Sequence, residues 1–211
     1  MKKFLTLLLA LTMLLSLAAT AAAESFDITV FEGVENVDIY TDEIEDYSIA
    51  ALESNKPCFF DPGYSEHYYC SFYPMILHDV GENAAIYTIS CDFYGENWAF
   101  FDEIIIKVGE NRYSFTGVEV EREVDDDTTD IHETLRIWID TNNVCFMEDL
   151  KAHSTETITV RLKGDKYNCD FNMSDTMIES ILNMYDLFVQ AGGTDPAYLS
   201  KVEGITTTTI R

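Results

Sequence analysis

The chain has 211 residues and carries 38 acidic against 13 basic side chains, a formal net charge of −25 at neutral pH. A surface this negative repels nucleic acid and anionic lipid headgroups, and it keeps a protein soluble and monomeric. Basic partners and divalent cations remain compatible with it, and the length suits one ordinary domain with a core of its own.

The first 23 residues read as a secretory signal. Lys2 and Lys3 precede an apolar run, Phe4 to Leu17, broken only by Thr6, Thr12 and Ser16. Ala21, Ala22 and Ala23 then offer the small side chains that a signal peptidase requires. The run is too short for a membrane span and has no basic stop-transfer flank. No Cys follows it for lipid attachment. Cleavage near Ala23 removes two lysines and no acid, so the mature chain, beginning at Glu24 and acting outside the cell, is expected to be more negative still.

Apolar and polar residues alternate from residue 26 to residue 172, and the pattern begins at Phe26-Asp27-Ile28-Thr29-Val30. Val37 to Tyr40 predicts a strand. Ile44, Tyr47, Ala51 and Leu52 have helical spacing, although Tyr47 to Leu52 reads equally as a strand. Tyr69 to Leu77 is a strand interrupted or placed at an edge by Pro74, which cannot donate to a ladder. Ala85 to Tyr94 sets Tyr87, Ile89, Cys91 and Phe93 on one face and Thr88, Ser90 and Asp92 on the other. Gly95-Glu96-Asn97 turns the chain. In the next strand, Phe100 to Val108, the run Ile104 to Ile106 implies cover on both faces. Gly109-Glu110-Asn111 forms a hairpin loop.

Tyr113 to Val124 returns as one strand, with Glu119, Glu121 and Glu123 on a solvated face. A polar loop follows over 125–130. Glu133 to Ile139 turns Leu135, Ile137 and Ile139 inward, so Trp138 points outward or under a helix. Phe146 to His153 spells about two helical turns. Thr157 to Lys163 and Lys166 to Asn172 flank Gly164-Asp165, which predicts a two-residue hairpin turn. Met177, Ile178, Ile181, Leu182, Tyr185, Phe188 and Val189 make an apolar stripe at helical spacing, with Ser174 as N-cap and Gly192 as C′ residue. Asp195-Pro196 starts a short helix toward Val202, and residues 205–211 form a frayed tail. With no internal linker, residues 24–204 are one β-rich domain. The predicted fold is mainly β, α+β at the C-terminus: an antiparallel β-sandwich or strongly curved sheet with one long amphipathic helix packed on it.

Phe72-Tyr73-Pro74-Met75-Ile76 is followed by Tyr94-Gly95-Glu96-Asn97-Trp98-Ala99-Phe100-Phe101, by Ile104 to Val108 leading to Tyr113, and by His132-Glu133-Thr134. Val160-Arg161-Leu162-Lys163-Gly164 and the amphipathic helix complete the order. From about Tyr69 to Gly193 the chain resembles a loose group of uncharacterised secreted proteins of Gram-positive bacteria. The resemblance rests on aromatic and turn positions. It implies a fold and carries over no catalytic residue.

Five cysteines, Cys58, Cys70, Cys91, Cys145 and Cys169, leave at least one thiol without a partner in the same chain. Cys58 and Cys70 bracket a short Gly-, Pro- and Tyr-containing loop and are the expected disulfide, contributing about 2–3 kcal/mol. Cys91 and Cys169 fall on apolar strand faces and read as small buried hydrophobes. No Cys-x-x-Cys spacing suggests zinc.

Several spacings invite chemistry and are weak. His67 and Cys70 lie three apart, on opposite faces of a strand, which disfavours a thiolate–imidazole nucleophile. His67, His78, His132 and His153 include no pair at i, i+4, and His132-Glu133 lacks the second His of a zinc-protease helix. Asp125, Asp126, Asp127 and Asp130 form the densest carboxylate cluster. It is a candidate weak Ca²⁺ site without the Gly and Glu of an EF-hand, and a solvated loop is the plainer reading. Paired carboxylates could hydrolyse glycosides, but nothing marks one pair as buried.

The aromatic residues weigh most. Tyr64, Tyr68, Tyr69 and Tyr73, with Trp98 further along, could form a platform for sugars or anchors for a protein partner, and alternate aromatics equally fill a sandwich core. Tyr68 and Tyr73 have opposite parity, so one of them faces away from the core. The expected function is therefore a secreted, non-enzymatic recognition or structural module, without a cofactor, that meets a protein or glycan at or beyond the cell envelope. An extracellular hydrolase using carboxylates or a Cys/His pair, and a weakly Ca²⁺-dependent adhesion domain, are the alternatives.

Overall fold

The alternating segments become strands because each has an apolar face to hide and β-branched or aromatic residues to build it. The computed structural model describes residues 25–44, 46–52, 69–81, 84–116, 118–124, 130–140 and 144–193. The expected signal segment, the helix after Asp195 and the C-terminal tail lie outside these. The strands are β1 (Val37–Asp42), β2 (Tyr47–Leu52), β3 (Tyr69–Asp79), β4 (Ala84–Gly95), β5 (Phe101–Val108), β6 (Asn111–Thr116), β7 (Glu119–Val124), β8 (Ile131–Trp138), β9 (Thr159–Gly164) and β10 (Asn168–Asn172). They form two antiparallel sheets, one of six strands in the order β1-β2-β3-β4-β8-β7 and one of four in the order β10-β9-β5-β6. The protein is mainly β and sandwich-like, with two α-helices among the described residues, α1 (Val144–Ala152) and α2 (Asp175–Gln190).

One apolar core joins the inner faces. Phe93 of β4 meets Phe101 of β5 edge-on with ring centroids 5.0 Å apart. The sulfurs of Cys70 on β3 and Cys169 on β10 approach to 3.9 Å across the same gap. Helix α2 covers the rest of β3 and β4. Its buried stripe is Met177, Ile178, Ile181, Met184 and Phe188, and the Tyr87 hydroxyl donates to the Ile181 carbonyl at 2.6 Å. Ser174 caps its first turn by accepting from the Met177 N–H. At the other end the Gly192 N–H reaches the Val189 carbonyl and the Gly193 N–H the Phe188 carbonyl, the paired bonds of a Schellman cap. Gly192 supplies the left-handed φ of 92° that this cap needs. Helix α1 seats Phe146 edge-on against Tyr113 and Phe115 of β6. The Tyr113 hydroxyl and the Asn111 amide both donate to Asp149 of α1.

Three expectations change. Phe26 to Val30 does not extend into a strand: Ile28–Phe31 is a 3-10 turn, because the Asp27 carboxylate accepts from the N–H and hydroxyl of Thr29 and caps it. Tyr113 to Val124 is two strands in different sheets, β6 in the four-stranded one and β7 in the six-stranded one. The β9–β10 connection spans four residues rather than two, since Lys163 pairs with Asn168. Its backbone docks elsewhere, with the Lys166 N–H on the Ala99 carbonyl. The ambiguous 47–52 stretch is a strand. Pairing of β2 stops at Ala51↔Met75, so Pro74 falls where β3 is laddered on the β4 side alone.

Glu133 was not among the inward residues expected of β8, yet it is fully buried. Its Oε1 accepts the N–H groups of Ala99 at 2.8 Å and Phe100 at 3.0 Å, and its Oε2 that of Phe101 at 3.0 Å. Arg122 of β7 donates Nε to the same Oε2 at 3.1 Å and Nη2 to the Phe101 carbonyl at 2.8 Å. This clamp holds the β4–β5 crossover, where Phe100 adopts a left-handed φ of 55° that costs a non-glycine residue about 1 kcal/mol or more. Glu133→Ala strands three backbone donors and a guanidinium. It should lower unfolding free energy by about 3 kcal/mol in urea titrations, with Glu133→Gln losing less. Gly164→Ala should be destabilising too, because its Cβ would collide with the Ala99 carbonyl oxygen.

Candidate recognition surfaces

Alternation gives each sheet an outer face, and that of the six-stranded sheet is where the sequence candidates partly converge. Tyr73 lies on it, half-buried, with Ser90 of β4 as its register partner and Arg136 of β8 opposite Ser90. Tyr69 belongs to the same row set through its backbone. Tyr64, Tyr68, His67 and Cys58 lie outside the described residues. Trp98 is not on this face. It is half-buried at the β4–β5 crossover, stacked on Phe100 at 6.0 Å, and the Arg122 guanidinium covers the Phe100 ring at 5.6 Å.

Register places further aromatic and aliphatic groups in neighbouring rows. Tyr40, Ile49, Leu77 and Ile86 align across β1 to β4, and Trp138 aligns with Thr88 and Met75. Tyr40 is 55% exposed, Ile86 40% and Trp138 37%. Trp138 thus points outward, as its parity predicted. Tyr40 also packs beside Tyr47, with centroids 6.1 Å apart. None of Tyr40, Ile86 and Trp138 falls in a conspicuous motif. Only strand register, which a sequence does not display, gathers them.

The other end of this face is polar and ordered. Ser71, Ser90, Asp92 and Thr134 are buried although they belong to the outer side. Asp92 accepts from the Thr134 hydroxyl at 2.8 Å and from that of Ser71 at 3.5 Å. Thr134 Oγ1 is also 3.0 Å from His132 Nε2, and the His132 ring stacks on Tyr94 at 4.0 Å. Burial and the adjacent Asp92 charge push the Tyr73 phenol well above its usual range. Arg136 reaches across to Glu121 of β7 through two bonds of 3.0 and 3.1 Å. In this cluster the hydroxyl bonds the carboxylate and the imidazole, and His132 Nε2 also lies 3.5 Å from Asp92 Oδ1.

The remaining candidates scatter. Cys70 is a buried free thiol, and its expected bridge partner Cys58 lies outside the described residues. Cys91 and Cys169 are buried as well. Asp125, Asp126 and Asp127 are outside the described residues, while Asp130 is half-buried just before β8. Among the described residues no group of three or more His, Cys, Asp or Glu side chains could hold a metal ion. His78 is buried against the Phe26 ring at 4.9 Å, and among the described residues neither ring nitrogen has a hydrogen-bond partner. Among the described residues no helix is long and apolar enough to cross a membrane.

Compared with protein-family models, curated proteins and solved structures, the chain matches none.

Charge placement sets the pH response. Lys163 and Ser114 hold the Glu103 carboxyl below its ordinary range, Arg161 does the same for Asp170, and Thr29 does so for Asp27. Depressed carboxylates stabilise the fold above their unfolded pKa of about 4, and that stabilisation disappears as pH falls through the lower folded values. Burial raises the phenols of Tyr87 and Tyr73. That contribution is complete below the unfolded tyrosine pKa of about 10 and is lost as pH rises beyond it. Melting temperature against pH should therefore show a plateau falling on both sides, with a shallower acid limb in Asp170→Asn.

Proposed function

We propose that the protein is an exported, non-enzymatic recognition module that binds a glycan through the outer face of its six-stranded sheet. One observation carries this reading: the exposed side chains of Tyr40, Ile86 and Trp138 share a single sheet face with the ordered Asp92, Thr134 and His132 cluster. Aromatic plates stack on the apolar faces of sugar rings, and the half-buried His132 on the same face, held by the buried Asp92 and Thr134, offers a polar edge to a hydroxyl. The flat, two-dimensional layout of a sheet suits a chain of sugar units. Tyr73, singled out by the sequence, joins the aromatic half to the polar half.

Export is supported by the basic, apolar, small-residue order of Lys2 to Ala23 and by the resemblance to secreted proteins. The absence of a catalytic role is supported by the burial of the Thr134 hydroxyl, whose bonds to Asp92 and His132 leave it little access to a substrate. The other readings, a hydrolase and a Ca²⁺-dependent adhesion domain, have no comparable observation in their favour.

A glycan array probed with the purified chain should give discrete positives. Trp138→Ala and Tyr40→Ala should each reduce that binding by roughly tenfold, in keeping with loss of one ring-stacking contact, at unchanged melting temperature. Binding that persists in the double variant would place the site elsewhere.

A further inference from the structure

The outer face of the four-stranded sheet reverses the character of the whole chain. Of 13 basic residues in the sequence, four stand together here: Lys107 on β5, Arg112 on β6, and Arg161 and Lys163 on β9. Strand parity puts them opposite the buried Ile106, Tyr113, Val160 and Leu162. Two of the four are neutralised. Arg161 grips Asp170 through Nε and Nη2, both at 2.6 Å, and Lys163 meets Glu103 at 2.6 Å. The other two are not. Lys107 and Arg112 are direct register partners, and among the described residues neither has a carboxylate at ion-pair distance. Like charges directly opposite on adjacent strands destabilise a sheet.

Between these side chains lies a depression of about 280 Å³, lined by Ile105, Lys107, Arg112, Thr159, Arg161 and Asp170. Ile105 forms an apolar floor. It is the middle isoleucine of the run whose neighbours, Ile104 and Ile106, are fully buried in the core. Arg161, held by Asp170 through Nε and Nη2, keeps Nη1 for another acceptor.

We propose that this depression binds a small phosphate ester, with the phosphoryl group between Lys107 and Arg112 and a body the size of one sugar ring over Ile105. A guanidinium fork and an ammonium point charge together suit a compact tetrahedral anion. Thr159 and the spare edge of Arg161 supply further donors. The limited extent of the patch selects against long polyanions: a nucleic acid or extended polyphosphate would run off it into a field of net charge −25.

The site lies on the opposite sheet from the proposed glycan face and does not depend on it. Calorimetric titration of the full chain with glucose 1-phosphate, inorganic phosphate and glucose tests it. Glucose 1-phosphate should bind, inorganic phosphate should bind more weakly, and glucose should give no heat. Lys107→Gln and Arg112→Gln should each weaken glucose 1-phosphate binding by about tenfold, the loss of one charge-assisted contact, and the double variant should abolish it. Both should fold normally, with a melting temperature equal to or above the parent's once the facing charges are gone. Lys163→Gln, already engaged with Glu103, should leave the affinity unchanged, and so should Trp138→Ala. Silence with both phosphate probes would overturn the proposal. So would equal binding of glucose, undiminished affinity in the double variant, or tighter binding of a short oligonucleotide.

Discussion

Where the chain leaves the six-stranded sheet for the four-stranded one, a single carboxylate does the joining. Glu133 projects from β8 into the core side of its sheet, fully buried, and takes three consecutive backbone N–H groups from Ala99, Phe100 and Phe101. A crossover between stacked sheets cannot ladder with either, so its amides need side-chain acceptors or water. Burying a charge to supply them is costly unless it is paired. Arg122 completes the arrangement by bonding both Glu133 and the Phe101 carbonyl. The β9–β10 loop then docks on the same segment through the Ala99 carbonyl. Glu133 thus bonds the crossover and β7 directly, and the β9–β10 loop joins them through Ala99, at the edge of the core that the two sheets share.

The two outer faces solve the charge problem of the chain differently. On the six-stranded sheet, Arg136 is bonded to Glu121 and Asp92 to Thr134. That leaves room for exposed rings. On the four-stranded sheet, the ion pairs stop short of Lys107 and Arg112. With 38 acidic residues in the sequence, two facing cations without a carboxylate at ion-pair distance among the described residues are a local exception. Exposed ion pairs contribute little stability on average, so the arrangement is better understood by what it leaves open than by what it holds together.

Period and parity made most of the architecture legible. The inward sets of β4 and β8, the outward Trp138 and the amphipathic α2 with both its caps follow from side-chain spacing alone. What spacing conceals is the partner. Glu133 shares the parity of Leu135 and Ile137, but a Glu in an alternating strand reads as solvated unless its three amide donors, 32 to 34 positions away, are known. The division of Tyr113 to Val124 between two sheets is invisible for the same reason, since both halves keep the alternation. Phe26 to Val30 failed differently: a local Asp–Thr capping contact outweighed a strand pattern with no neighbour to pair with. Surface sites were the least legible, because Tyr40, Ile86 and Trp138 come to share one face, and Lys107 and Arg161 one depression, only through register.

The path of α2 across β3 and β4 also governs the order of assembly. Tyr87 waits for Ile181, 94 positions downstream, and Cys70 meets Cys169 across 99. Contacts this distant must first overcome loop-closure entropy, which slows folding. A nascent chain therefore keeps the greasy sides of its early hairpins uncovered until α2 emerges. Acidic residues along those hairpins keep such molecules apart by mutual repulsion during the delay.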